Sequence, residues 1–171
     1  NSEISAYGGQ VRVFSLTSWL QLGPSIYGDL SNNLCGRSVS LSGDGMKLAV
    51  GFPGYQVGGS QAGLARLYKW DNVNNTYSQS CNQLVGTNNE VLGYSASLSS
   101  DGSRLAIGAP QNPALGGSNS NRGQVKVFLP PSIFIDTINS SFCAGATVNI
   151  PFTSSGEFNT GNLFTVQLSD T

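Results

Sequence analysis

The chain has 171 residues, enough for one or two ordinary domains. Only 10% of the residues are charged and the formal net charge is −1, which excludes the basic face that nucleic-acid binding needs. Histidine, the commonest general base and metal ligand, is absent, and no apolar run reaches the roughly 18 residues of a membrane-spanning helix.

A gap-free internal repeat dominates the sequence. Residues 38–53 (SVSLSGDGMKLAVGFP) recur as residues 95–110 (SASLSSDGSRLAIGAP), an offset of 95 − 38 = 57 positions. The identical positions include three serines, the Asp-Gly pair and the closing proline of each copy. Matches of this density at fixed spacing indicate a repeat architecture.

Residues 9–14 (GQVRVF) alternate polar and apolar side chains, the period of a half-buried strand. Similar runs stand at 63–68 and 123–128, each beginning with Gly and ending on an aromatic residue. The fourth position of each run is basic, and we expect these side chains to lie in solvent. They are Arg12, Arg66 and Lys126.

Each repeat is predicted to form four antiparallel strands, A to D, joined by polar, glycine-rich loops. Strand B is rich in small and branched apolar residues, which indicates burial on both faces. The predicted strands are A at 37–42 and 94–99, B at 46–52 and 103–109, C at 64–69 and 124–128, and D at 76–84, with exposed B–C loops at 54–62 and 111–122.

Strands A and B are joined by an Asp-Gly pair in each copy, Asp44-Gly45 and Asp101-Gly102. Asp-Gly between two alternating runs predicts a hairpin with a type I′ turn, in which both central residues have positive φ. These four residues are therefore assigned a structural role.

Trp19 aligns with Tyr77, so residues 18–30 are predicted to hold a short strand with an aromatic residue near its start. The chain then contains strands C and D of one unit, one complete unit, and strands A to C of another. A single four-stranded unit cannot bury both of its faces, and packing such units around an axis, as in a β-propeller, solves this.

The composition changes after Pro130-Pro131. Strand-like runs at 132–136, 141–151 and 163–168 predict the opening strands of a β-sandwich. The predicted fold is all-β: a partial β-propeller over residues 1–129, then incomplete sandwich strands over residues 130–171. We expect a fragment of a longer protein, or a chain whose core is completed by neighbouring chains.

The ordered motifs Trp19-x-Gln21-Leu22-Gly23, GxSVSLSxDG at 36–45, LAVG at 48–51 and GxxRxY at 63–68 resemble FG-GAP-like β-propeller repeats. Such repeats are abundant in secreted and cell-surface proteins of Bacteroidota. The resemblance covers about residues 9–128, and the tail resembles the start of an immunoglobulin-like adhesin domain. It implies a secreted or cell-surface location, export by the type IX route, and adhesion to a protein or glycan.

Relatives of these repeats bind calcium through loops with several aspartates, a pattern from which this chain departs. Asp44 and Asp101 each stand alone before a glycine, whereas Ca²⁺ takes six to eight oxygen ligands. The segment at residues 71–75 has two interpretations: it is a weak candidate metal site or an ordinary asparagine-rich turn. It contains Asp71, Asn72, Asn74 and Asn75.

No catalytic residue is predicted, and no cofactor is expected. Without histidine, a Ser–His or Cys–His nucleophile pair is impossible within this chain. The leading hypothesis is a non-catalytic binding module; the alternatives are part of an enzyme whose active site lies outside this segment and a structural subunit completed by neighbouring chains. Trp19, Trp70 and Tyr77 either face a ligand or pack between strands.

The three cysteines, Cys35, Cys81 and Cys143, form no CxxC pair, which argues against zinc. Their simplest interpretation is as small buried apolar residues. A disulfide between Cys35 and Cys81 is the alternative.

Overall fold

The structure is a computed structural model that describes residues 8–80, 83–111, 122–129, 132–135 and 152–155. Every regular element within these residues is a β-strand, so the prediction of an all-β fold is confirmed. The chain divides into two compact units, residues 1–128 and residues 129–171. No helix in the described residues is long and apolar enough to cross a membrane.

The first unit contains twelve strands in its described residues, most of them short. In chain order they are β1 (Gln10–Val11), β2 (Ile26–Tyr27), β3 (Ser38–Leu41), β4 (Lys47–Phe52), β5 (Gln56–Val57), β6 (Ser60–Gln61), β7 (Leu64–Asp71), β8 (Thr76–Gln79), β9 (Leu84–Val85), β10 (Ser95–Leu98), β11 (Leu105–Ala109) and β12 (Gln124–Phe128).

Three antiparallel sheets follow one another along the first unit. Sheet I pairs β1 with β2, sheet II has the order β3-β4-β7-β8 with β9 also on β7, and sheet III has the order β10-β11-β12. The predicted strands A, B and C are therefore present in both copies. The predicted strand D consists of two segments, β8 and β9, which pair with the two ends of β7.

The B–C loop of sheet II is exposed at residues 56–59, as predicted, but it is not without regular structure. It contains the hairpin β5–β6, whose two turn residues, Gly58 and Gly59, have φ values of 56° and 83°. Two positive φ values at a two-residue turn define type I′, and glycine adopts them without a steric penalty.

The type I′ prediction for the A–B turns is wrong. Gly45 and Gly102 have positive φ, but Asp44 and Asp101 do not. Gly45 N donates to Ser42 O at 2.9 Å, as in a type I turn followed by a left-handed glycine. The strands are thus joined by a longer loop, in which aspartate contributes through its side chain.

Sheets II and III pack face to face through one hydrophobic core. Strand alternation points Ala49, Ala65 and Leu67 from sheet II toward sheet III. Strand β4 is buried along its length except at Lys47, as predicted, whereas β11 alternates between buried and half-buried residues. Sheet III fills the other side of this core with Leu98, Leu105, Ile107 and Ala109.

Polar contacts fix the relative position of sheets II and III. Gly43 N donates to Ser100 O at 2.7 Å, and Leu98 N donates to Ser40 Oγ at 2.9 Å. The short side chain of Ser40 and the absence of a side chain at Gly43 let these backbones approach closely. Sheets I and II share a second core, in which Val11, Val13 and Ile26 pack against Val50, Phe52 and Leu64.

The second unit contains one described hairpin, β13 (Ser132–Ile135) with β14 (Phe152–Ser155), paired antiparallel. The predicted strand at 132–136 is confirmed by β13. The strands predicted at 141–151 and 163–168 lie outside the described residues.

Candidate functional site

Asp44 and Asp101 close equivalent A–B turns. The Asp44 carboxylate accepts hydrogen bonds from Ser42 Oγ at 2.5 Å and from Met46 N at 2.9 Å. These two bonds, the serine first, lower the pKa of Asp44. Each carboxylate thus organises its own turn, which is a structural use of the acid.

The Asp101 carboxylate repeats this pattern one repeat later. It accepts from Ser99 Oγ at 2.6 Å, from Ser103 N at 3.0 Å and from Ser103 Oγ at 2.7 Å. The hydrogen bond from Ser99 and the two from Ser103 hold the pKa of Asp101 well below its usual range. The turn therefore favours the ionised carboxylate.

The candidate calcium loop, residues 71–75, uses its carboxylate to cap a turn. Asp71 Oδ1 accepts from Val73 N at 2.8 Å, and Asp71 Oδ2 accepts from Asn74 Nδ2 at 2.7 Å. The Asn74 bond is the first cause of the lowered pKa of Asp71. Asn74 thus directs its amide nitrogen, which cannot bind a cation, toward the Asp71 carboxylate. Asn75 ends the turn with a φ of 50°. The described residues hold no group of three or more Asp, Glu, His or Cys side chains that could bind a metal.

Trp70 and Tyr77 pack against each other on neighbouring strands. Their ring centroids are 5.0 Å apart at an interplanar angle of 63°, an edge-to-face contact. The Tyr77 hydroxyl donates to Gly45 O, and Trp70 Nε1 donates to Asn72 Oδ1 at 2.9 Å. Burial raises the pKa of Tyr77. Both polar groups are engaged within sheet II, which identifies the pair as packing residues.

Trp19 has a different environment from Tyr77, with which its sequence aligned. It is 74% exposed and lies in a loop, whereas Tyr77 lies in strand β8. The short strand predicted within residues 18–30 is β2, which begins at Ile26 and not near Trp19. The loop spans residues 16–19, since Ser15 N donates to Leu20 O at 2.9 Å. The sequence placed all three aromatic residues in one class, and the structure leaves only Trp19 largely exposed.

The backbone at Trp19 is strained, with φ 57°. The four-residue loop of sheet II, residues 72–75, ends on Asn75 at φ 50°, and Trp19 ends the loop of sheet I in the same way. Asparagine tolerates the left-handed region, whereas a bulky side chain there is uncommon and costs about 1–2 kcal/mol. Leu34 and Val91, outside this loop, adopt similar φ values of 55° and 57°.

Exposed apolar residues surround Trp19. We call residues 14–20 (FSLTSWL) the Trp19 loop; it contains no charged residue. Its large side chains are exposed at Phe14, Leu16, Trp19 and Leu20.

The prediction that the basic residues of strand C lie in solvent is wrong for two of the three. The Arg66 side chain is 12% exposed, forms an ion pair with Asp29 and lies 4.8 Å from the Phe52 ring centroid. The hydrogen bonds that Arg66 donates to the Asp29 carboxylate are the first cause of the raised pKa of Arg66. Arg12 is exposed, as predicted, and lies 5.6 Å from the Phe14 ring centroid.

The third basic residue, Lys126, pairs with a carboxylate that the sequence reasoning missed. Lys126 Nζ lies 2.5 Å from Glu90 Oε1, and the Glu90 side chain is completely buried. Glu90 Oε2 also accepts from Thr87 N at 2.6 Å. An isolated acid directly before the apolar pair Val91-Leu92 was the available signal.

Cys35 is a free, buried thiol in the core between sheets I and II. Its Sγ lies 3.7 Å from Ile26 O, and burial raises its pKa to about 12. Cys81 and Cys143 lie outside the described residues. The Cys35 environment suits an inert apolar residue rather than a reactive thiol.

No known protein-family model matches the chain, and no curated protein matches its sequence.

Proposed function

We propose that the repeats are blades of a β-propeller in a secreted or cell-surface protein, with residues 130–171 beginning an immunoglobulin-like domain. The support is the regular stacking of sheets I, II and III, in which each sheet presents one face to its neighbour. A ring of four to eight such sheets buries every face. In electron micrographs of the natural full-length protein, a ring of sheets is the expected image, and a linear stack contradicts the proposal.

We further propose that the module is non-catalytic and binds a partner in adhesion. One observation carries this: the Trp19 loop exposes an aromatic and three aliphatic or aromatic neighbours on a strained backbone. An uncharged cluster with a tryptophan at its centre fits the hot spot of a protein interface. A glycan, which would stack on Trp19 alone, is the second candidate.

Binding is tested with the 171-residue chain immobilised and exposed to a panel of extracellular-matrix proteins and to a glycan array. Trp19→Gly removes the side chain and relieves the positive φ, so we expect unchanged or higher stability with at least a tenfold loss of binding. Trp70→Phe is the matched control, since Trp70 packs within sheet II; its binding should match the wild type.

Retained binding in Trp19→Gly would show that the loop is not the site. Binding to no protein or glycan in the panel would remove the adhesion proposal. Binding of the wild-type chain to a glycan but to none of the proteins would favour the second candidate, a glycan ligand.

A further inference from the structure

Equivalent faces of sheets II and III differ in exposure. Ala65 and Leu67 of β7 are 0% and 5% exposed, whereas Val125 and Val127, at the same positions of β12, are 67% and 59% exposed. Strand pairing places them in two rows of small or aliphatic side chains, which we call the outer face of sheet III. The rows are Ser95, Gly108, Val125 and Ser97, Ala106, Val127.

On sheet II this face is covered by the segment that leads into sheet III. Leu92 forms a parallel bridge with Gly63, and its N–H donates to Ala62 O at 3.0 Å. The carbonyl of the next residue, Gly93, accepts from Ser38 Oγ at 2.8 Å. An apolar–glycine pair thus docks on the start of strand C and on strand A.

The same docking occurs one repeat earlier, between sheets I and II. Cys35 forms a parallel bridge with Gly9, and its N–H donates to Gly8 O at 2.8 Å. Cys35-Gly36 and Leu92-Gly93 are separated by 92 − 35 = 57 positions, the spacing of the repeat. The same kind of face therefore binds an apolar–glycine pair twice in this molecule, once at Gly9 and once at Gly63.

Glycine is required at the receiving positions by direct contact. A Cβ on Gly63 would lie 2.2 Å from Leu92 O, and one on Gly51 would lie 2.0 Å from Gly93 O. Gly123 and Gly108 occupy these two positions in sheet III. The atom closest to a Cβ on Gly108 would be the movable hydroxyl oxygen of Ser95, at 2.3 Å. Among the described residues, no backbone carbonyl approaches Gly108 as Gly93 O approaches Gly51.

We propose that the outer face of sheet III binds a further repeat of the same type, through an apolar–glycine pair followed by a Ser/Leu strand. A groove of about 330 Å³ beside it, lined by Tyr94, Pro110, Arg122 and Gly123 among others, receives the pair. Arg122 O accepts the N–H of the apolar residue, and Ser95 Oγ donates to the glycine carbonyl. This inference rests on the proposed stacking of blades and names the residues that carry it.

The chemistry of the outer face selects this occupant. Its six residues are small or aliphatic and none is charged, as required for close packing of two sheets. Ser97 Oγ is placed to accept a strand N–H, as Ser40 Oγ accepts from Leu98 N at 2.9 Å.

The test is a nuclear magnetic resonance titration of the 171-residue chain with a synthetic peptide of residues 87–99 (TNNEVLGYSASLS), which contains the Leu92-Gly93 pair. We expect saturable amide shifts at Ser95, Gly108, Gly123 and Val125. The same peptide with Gly93→Val should bind at least tenfold more weakly.

The chain variant Gly108→Ala should also lose at least tenfold in peptide affinity, while its melting temperature stays within about one degree of the wild type. Gly51→Ala is the matched control: its Cβ collides with Gly93 O, so it should lower the melting temperature. Absence of shifts, shifts confined to sheet II, or unchanged binding by Gly108→Ala would each overturn the proposal.

Shifts of the same amides with protein concentration alone, without peptide, would identify a different surface of a second copy as the occupant. Both apolar–glycine pairs of such a copy are already docked within it, so this result would also overturn the proposal. None of these outcomes depends on the Trp19 loop or on ring closure. Failure here therefore leaves the panel binding and the electron-microscopy test of the proposed function to be decided separately.

Discussion

Leu41 and Leu98 occupy the same position of successive repeats and offer a matched test of sheet stacking. Leu98 is 8% exposed in the core between sheets II and III, whereas Leu41 is 48% exposed. Replacement of a buried leucine by alanine costs 2–5 kcal/mol, so Leu98→Ala should destabilise the chain by about 3 kcal/mol. Leu41 already has half of its side chain in water, and Leu41→Ala should cost about 1 kcal/mol.

These values convert to melting temperatures. At about 2–4 °C per kcal/mol for a chain of this size, Leu98→Ala should lower the melting temperature by about 6–12 °C and Leu41→Ala by about 2–4 °C. Circular dichroism melts, with urea unfolding followed by tryptophan fluorescence, measure both. Equal losses in the two variants would refute face-to-face packing of sheets II and III.

Three further predictions concern charged and ionisable groups. Because turn hydrogen bonds lower the pKa of Asp101, its contribution to stability is present above the usual aspartate pKa of about 4 and is lost as the pH falls through the lower folded-state value. The free energy of unfolding of Asp101→Asn should therefore fall less steeply with decreasing pH than that of the wild type. An unchanged slope would show that the turn hydrogen bonds of Asp101 do not contribute to the acid sensitivity. Lys126→Met leaves the buried Glu90 carboxylate without its cation and should cost about 3 kcal/mol in urea unfolding, partly restored by adding Glu90→Gln; no restoration would contradict the ion pair. With the other two cysteines replaced by serine, Cys35 should react with a thiol reagent at pH 8 at least tenfold more slowly in the native chain than in urea. Equal reaction rates in the native and the urea-unfolded chain would refute the burial of Cys35. Because burial raises the pKa of Cys35 to about 12, the free energy of unfolding should also decline as the pH rises above 9.0.

Strand positions could be predicted because the signals were local and occurred twice. Alternation over residues 63–68 and small apolar residues in strand B depend only on which face of a strand is buried. Each strand A, B and C was therefore recognised in both copies. The hairpin β5–β6 was missed because its strands have two residues each, too short for any periodicity.

The turn type could not be predicted from the Asp-Gly pair alone. Asp44 stays out of the left-handed region because its side chain accepts from Ser42 Oγ and Met46 N, which stabilises a longer loop. The turn propensity of Asp-Gly concerns those two residues alone, whereas the loop geometry depends on the flanking serine, Ser42. The serine is repeated at Ser99, so the signal was present but its effect was not recognised.

The environment of the charged residues depended on contacts between distant segments. Arg66 pairs with Asp29, 37 positions away, and Lys126 with Glu90, 36 positions away. A strand pattern identifies the face that a side chain occupies but not what the neighbouring sheet places there. The same limit applied to Trp19 and Tyr77, which align in sequence and differ in exposure.

The repeated docking of one sheet on the next is the central claim, and through-hydrogen-bond scalar couplings measure it most directly. A long-range HNCO spectrum should correlate Leu92 N with the Ala62 carbonyl carbon and Cys35 N with the Gly8 carbonyl carbon. Both correlations in one spectrum are the predicted result. If either amide is correlated with a different carbonyl, or exchanges freely with solvent, the sheets do not stack by a common rule.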